Sequence, residues 1–188
     1  MSDHQFIKNY LEDFIHLLQP DEDTIKDLIK ARDLILETKL NKKKVLIFGN
    51  GGSAAIASHF SVDLTKNAKI RCHNFNEAGL ITCLANDYGY KHWASQTVDF
   101  YGDEGDLLIV ISSSGQSDNM LNAVKAARNN KFSSVITLSG FSNENSLSKL
   151  GDLNLWVDNK SYNFVENIHQ IWLLTIVDLL IGKREYST

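Results

Sequence analysis

Two short runs of wholly apolar residues, Val45-Leu46-Ile47-Phe48 and Leu107-Leu108-Ile109-Val110-Ile111, break directly into loops of glycine and hydroxyl residues. The loops read Gly49-Asn50-Gly51-Gly52-Ser53 and Ser112-Ser113-Ser114-Gly115-Gln116-Ser117, and a helical pattern follows each. A short run that is apolar at every position suits a strand buried on both faces, and such strands belong to parallel sheets with helices on either side. Further strands are expected at 70–75, 134–138 and 153–157, and helices over 53–66, 78–85, 90–101, 117–130, 143–150 and 162–182. With right-handed crossovers, this alternation gives an α/β fold: a three-layer α/β/α sandwich around a central parallel, doubly wound sheet. Ligands of such sheets sit beyond the carboxyl ends of the strands, which is where both loops fall.

Before the first strand, Phe6, Ile7, Tyr10, Leu11, Phe14, Ile15 and Leu18 recur at helical spacing, and Ile25, Leu28, Ile29, Ala31, Leu34 and Ile35 form a second set. Pro20 separates the two, and Asp21 or Asp23 can cap the second helix. The pattern closes on a helix that is apolar almost all round, from Phe164 and Val165 to Leu180 and Ile181. So little polar face implies deep burial. Together with two leading helices that need a surface beyond the sheet, it predicts self-association into a homo-oligomer.

A length of 188 residues fits one domain. The net charge of −4 argues against a nucleic-acid partner, because duplex binding needs a dense basic patch. Lys42-Lys43-Lys44, the only basic run, reads as a solvated turn before a strand. Cys72 and Cys83 are too few for a disulfide framework and read as reduced packing residues. The start lacks a basic, apolar leader, and no apolar run is expected to reach the roughly 18 residues that cross a bilayer. A cytoplasmic protein without a membrane partner is therefore expected.

The first loop matches the dinucleotide pattern G-x-G-x-x-A at Gly49, Gly51 and Ala54, but the acidic residue that should end the second strand is absent: Asn74, Phe75 and Asn76 precede Glu77. No Gly-Lys-Ser/Thr is present, so this is not a Walker loop. What remains is an anion site in which glycines let backbone approach a ligand and a helix start offers N–H groups. The second loop adds four hydroxyls, Ser112, Ser113, Ser114 and Ser117, neutral donors suited to a phosphate. One such serine reads simply as a helix cap; four at one strand end point to a ligand.

Acid–base chemistry has two candidate pairs. Glu166 and His169 are spaced i, i+3 and can share one side of the last helix, while His59 and Asp63 are i, i+4 on the helix after the first loop. Either can also be a plain polar pair at an interface.

At Gly49-Asn-Gly-Gly-Ser-Ala-Ala, His59-Phe60, Ala85-Asn86-Asp87-Tyr88-Gly89, Gly105-Asp106, Ile111-Ser-Ser-Ser-Gly-Gln-Ser and Glu166-Asn167-Ile168-His169, the sequence closely resembles the SIS (sugar isomerase) domain family, and within it the phosphoheptose isomerase group. The resemblance runs nearly the whole chain. It implies a single SIS domain over 1–188 whose helical extension, 1–40, serves oligomerisation, in a homotetramer with active sites between subunits. It further implies aldose–ketose isomerisation of sedoheptulose 7-phosphate to a heptose 7-phosphate for surface polysaccharide. Ser53 and the serines Ser112, Ser113, Ser114 and Ser117 would hold the phosphate, with Gly51 and Gly52 in the same loop, and Asn50 and Asp87 would contact sugar hydroxyls. His59, Asp63 and Glu166 match positions at the reacting end, some of which bind zinc in certain members.

The chain departs from the family at three positions. Asp63 replaces a glutamate, Glu166 a glutamine, and Leu174 a histidine expected five residues beyond His169, which serves in the best-known members as metal ligand and acid–base group. The expectation is Glu166 as general base with His169 as its acid or orienting partner. A non-catalytic phosphosugar sensor or adaptor, or an isomerase of another sugar phosphate, are the alternatives.

Overall fold

A computed structural model describes residues 1–19 and 21–184, so Pro20 lies outside the described residues. Helices α1 (Asp3–Leu17) and α2 (Glu22–Leu40) lead into a sheet unit that runs β1 (Val45–Gly49), α3 (Gly52–Lys66), β2 (Cys72–Asn74), α4 (Ala78–Tyr88), α5 (Trp93–Tyr101), β3 (Leu107–Ser112), α6 (Asp118–Asn129), β4 (Ser134–Ser139), β5 (Leu153–Trp156) and α7 (Tyr162–Ile181). A 3₁₀ turn, Tyr90–His92, joins α4 to α5. The five strands are ordered β2-β1-β3-β4-β5 and every pairing is parallel. In that order the chain reverses its winding between β1 and β3, and the crevice at their carboxyl ends is where doubly wound sheets bind ligands.

The central strands β1 and β3 read as apolar almost throughout because both of their faces are covered. Val45, Ile47, Leu107, Ile109 and Ile111 face one layer with Phe60, Leu64, Leu173 and Ile176. Leu46, Phe48, Leu108 and Val110 face the other with Trp93, Val98, Met120 and Val124. Helices α2, α3 and α7 therefore cover one side and α4, α5 and α6 the other. By length and composition α7 is long and apolar enough to cross a bilayer, contrary to the expectation that no segment is. Here its apolar residues pack into the core and against α1, where Tyr10 meets Phe164 edge-on and Phe14 meets it at a tilt.

At the end of the sheet away from the loops, Asp106 is almost fully buried, accepts from the backbone N–H groups of Lys44 and Asp103, and lies 2.6 Å from the Lys44 ammonium. The Gly105-Asp106 pair is thus a knot fastening β1 to β3 at the base.

Three local expectations change. Residues 143–150 form successive turns instead of a helix. The buried Asn145 amide accepts from Ser148 N–H and donates to Ser139 Oγ and Ser142 O, while Leu147 N–H goes to Gly115 O, so local and distant partners replace an i→i−4 ladder. Strand β2 is shorter than 70–75, because Ile70 N–H still bonds Leu64 O at the end of α3. Cys83 is exposed rather than packed. Of the two candidate caps for α2, Asp21 does the work, accepting Thr24 N–H at 2.7 Å.

Candidate functional site

The carboxyl ends of β1 and β3 open onto a small cavity of about 90 Å³ lined by Asn50, Ser53, Ile111, Ser112, Ser113, Ser114, Ser117, Tyr162 and Glu166. Three helices begin on this cavity: α3 with Ser53 in its first turn, α6 with Ser117 as its N-cap, and α7 with Tyr162 as its first residue. None of the three has a side-chain cap. Of the helices that start elsewhere, α1, α2 and α4 are capped by Ser2, Asp21 and Glu77, while α5, which continues the Tyr90–His92 3₁₀ turn, has no side-chain cap. An uncapped helix start keeps its first N–H groups and its positive dipole end for something else, and three of them converging favour an anion.

The hydroxyls match that bias. Ser117, expected as a possible cap, leaves its own helix uncapped and instead accepts from Ser112 Oγ at 3.1 Å. Ser113 Oγ is buried with no hydrogen-bond partner among the described residues, a donor in want of an acceptor. The turn that presents these groups needs Gly115, whose φ of +65° falls in the left-handed region and whose Cα presses on the Asn145 side chain so closely that a Cβ would collide with it.

The first loop is pinned to the second across the crevice. Asn50 Nδ2 donates to Asn119 Oδ1 at 3.0 Å, Asn119 Nδ2 returns a bond to Asn50 Oδ1 at 2.8 Å, and Tyr90 OH donates to the same Asn50 oxygen at 3.1 Å. One amide hydrogen of Asn50 is left for a ligand. Asn119, buried on α6, and Tyr90 were not foreseen; their partner lies 69 and 40 residues away, and no local pattern marks them.

Glu166 sits half-buried on the cavity wall, its carboxylate resting against Gly52 so closely that a Cβ there would overlap it. Burial pushes the carboxyl above its ordinary value of 4.5. His169, one helical turn on, goes elsewhere. It is fully buried, and Nε2–H donates to Ser139 O at 3.1 Å, because a carbonyl can only accept. Its Nδ1 has no partner among the described residues, and burial lowers the ring's pKa to about 4 against the opposing pull of the Ser139 carbonyl, so the ring is neutral. It does not line the cavity.

His59 and Asp63 are brought together, Nε2 to Oδ2 at 3.4 Å, but outside the cavity lining, with the His59 side chain 49% exposed. Gln170 reaches His59 Nδ1 at 3.3 Å, and Asn67 donates to Asp63 Oδ1 at 3.2 Å. Tyr162, Glu166 and Gln170 form an i, i+4, i+8 stripe on α7 that runs alongside α3 from Gly52 to His59. Applying helical spacing in both directions from Glu166 would have found Tyr162 and Gln170. Asp87, in the last turn of α4, is exposed, contacts Cys83 and Asn86, and stays off the cavity. The donors for zinc do not assemble within one chain: among the described residues no three His, Cys, Asp or Glu side chains converge, and His59 is engaged by Gln170 and Asp63.

A family model described as the SIS domain matches residues 9–140. The phosphoheptose isomerase of Aliarcobacter butzleri (strain RM4018) is 33% identical over 165 residues, covering 85% of this chain and 86% of that protein. The structure of the phosphoheptose isomerase from Neisseria gonorrhoeae has a TM-score of 0.88 at 28% identity, covering 95% of this chain and 99% of that one. A phosphoheptose isomerase from Francisella tularensis gives 0.87 at 27% identity, covering 97% and 100%.

Proposed function

This chain belongs to the SIS domain family, and from that premise we propose that it is a phosphosugar isomerase converting sedoheptulose 7-phosphate to a heptose 7-phosphate. The observation that carries this reading is the conjunction of an anion cradle with a base: three uncapped helix starts and five serine hydroxyls on one side, the half-buried Glu166 carboxylate on the other. Ser53, Ser112, Ser113, Ser114 and Ser117 hold the phosphate, and Asn50, through its free amide hydrogen, holds a sugar hydroxyl. Asp87 and the outward-facing His59–Asp63 pair contribute to the sugar end where a neighbouring subunit closes the site.

In the ketose, C1 carries the proton to be moved and C2 the carbonyl. Glu166 takes the C1 proton, the electron pair forms the C1–C2 double bond, and the C2 carbonyl becomes an enediolate oxygen. The protonated Glu166 then returns the proton to C2, the C1 hydroxyl passes its proton to the neighbouring C2 oxygen, and C1 becomes the aldehyde carbon while C2 becomes a secondary alcohol. A carboxyl raised by burial suits both directions, since a base closer in strength to the carbon acid wastes less driving force. His169 suits the orienting role of the two expected for it. It fixes Ser139 O, and the next residue, Gly140, donates its N–H to Ser113 O at 2.9 Å, so the ring ties α7 to the serine loop.

We further infer a cytoplasmic homo-oligomer, a tetramer by analogy, feeding surface polysaccharide synthesis; the support is the apolar surface left on α1 and α2. The deciding experiment follows sedoheptulose 7-phosphate in deuterated water, reading both aldose formation and deuterium at C1 and C2. Turnover is expected, with an acid limb in kcat/KM above pH 4.5. Glu166→Gln should lower kcat by about 10³-fold while leaving phosphosugar binding nearly intact. A Glu166→Gln protein at wild-type rate removes the base assignment; binding without exchange in the wild type favours a sensor.

A further inference from the structure

Among the described residues, four non-glycine positions have a positive φ: Lys42, Lys69, Lys131 and Phe141. The three lysines sit in turns just before β1, β2 and β4, at the base of the sheet, where a side chain can extend into water. Phe141 is different. It follows β4 at the ligand end, at φ 59°, a conformation that a bulky residue adopts only when its surroundings hold it there.

Three contacts hold it. Phe141 N–H donates to Asn159 O at 2.9 Å, fastening the exit of β4 to the turn that starts α7. The preceding Gly140 lies so close to α7 that a Cβ would fall 2.8 Å from both Val165 methyls. The Phe141 ring packs on the small cluster of Val157, Val165 and Ile168 and meets the Tyr162 ring edge-on, centroids 4.9 Å apart at 67°. Tyr162 in turn lines the phosphate cavity one helical turn before Glu166, yet it is 57% exposed. It stands at the rim.

The rim matters because the cavity is small. At about 90 Å³ it is well below the roughly 300–1,000 Å³ of sites that enclose a whole organic ligand. It has room for a phosphate, while a carbon chain attached to that phosphate must leave across the mouth. Taking the site as a phosphosugar site, on which this step rests, we infer that Tyr162 is the specificity-determining contact for the substrate's carbon chain, and that Phe141 is the positioning residue that sets it. The ring offers an apolar face to the sugar's C–H groups, and the phenol can hydrogen-bond a hydroxyl beyond the reach of the serines. A side chain so exposed would otherwise swing freely about χ1; the edge-on Phe141 ring limits that freedom before substrate arrives.

The test uses the full-length protein, Tyr162→Ala, Tyr162→Phe, Phe141→Leu and Phe141→Tyr. Isothermal titration measures inorganic phosphate, and steady-state kinetics measures sedoheptulose 7-phosphate and a shorter ketose phosphate. Tyr162→Ala should raise KM for sedoheptulose 7-phosphate about tenfold with kcat changed far less, and raise the phosphate Kd by a much smaller factor. The preference for the longer sugar should shrink with it. Tyr162→Phe separates the hydroxyl from the ring by showing how much of that rise it reproduces. Phe141→Leu keeps an apolar side chain but loses the aromatic edge, and should raise KM in the same direction. Phe141→Tyr keeps the edge and should restore wild-type KM, an outcome that a purely structural role for Phe141 does not require. Equal loss of phosphate and sugar-phosphate binding in Tyr162→Ala, or unchanged KM in both Tyr162→Ala and Phe141→Leu, overturns the inference. A wild type that neither binds phosphate nor turns over any sugar phosphate overturns the functional reading beneath it instead.

Discussion

His169 illustrates how a residue's chemistry follows from its place rather than its type. Its ordinary pKa is 6.5, and burial brings it to about 4 in the fold, so the unfolded chain takes up a proton between those values that the folded chain refuses. The stability that depends on the neutral ring is complete above pH 6.5 and is lost as pH falls toward 4, on the order of 3 kcal/mol over that window. Thermal unfolding from pH 7 to 4 should show this slope, and His169→Gln, which keeps an N–H donor without the titration, should flatten it. An identical slope in the variant would assign it to other groups. The sequence made Glu166 and the four serines legible because their signals are local: a helix spacing and a strand running into hydroxyls. It could not reveal that His169 turns to Ser139 O, since two side chains at i and i+3 share a face only until packing decides which of them meets the core. Nor could it reveal Asn119, whose function exists only opposite Asn50.

At the scale of elements, strands and helices were readable wherever burial imposed a period, and failed where side chains took over the backbone's hydrogen bonds. Residues 143–150 have a helical pattern of Leu147 and Leu150, yet Asn145 and the Gly115 carbonyl direct that backbone elsewhere. Helix α1 was readable as a helix in need of a covering surface, but not for which of its faces stays open. Its Tyr10, Phe14 and Leu17 face α7, while Ile7, Leu11 and Ile15, 55–58% exposed, make a second apolar stripe at i, i+4, i+8 that no described residue covers. Such a stripe is what a second copy of the chain would bury. Light scattering should find the wild type self-associated, and Leu11→Glu should weaken association at least about tenfold without unfolding the subunit, because a buried, unpaired carboxylate is costly only in the assembly. A wild type that is monomeric at working concentration refutes the assignment of this face.

For the whole molecule, the order β2-β1-β3-β4-β5 brings two loops from distant parts of the chain to one crevice, and the crevice is what turns two Gly/Ser segments into a site. That both loops lie at the carboxyl ends of strands followed from strand patterning, whereas the strand order and the uncapped helix starts did not, because a serine at a helix N-terminus looks the same whether it caps the helix or faces a ligand. The pairing of Asn50 with Asn119 has a consequence in time. These residues are 69 positions apart, and contacts of that span form late, after helices and hairpin-scale structure. During refolding from denaturant, recovery of phosphate binding should lag recovery of helical circular dichroism, and coincident traces would count against it. On the ribosome the same order holds: the nascent chain has made its first glycine loop before the partner that fixes it exists, and the crevice lining is complete only when α7, the last helix, brings Tyr162 and Glu166 to it.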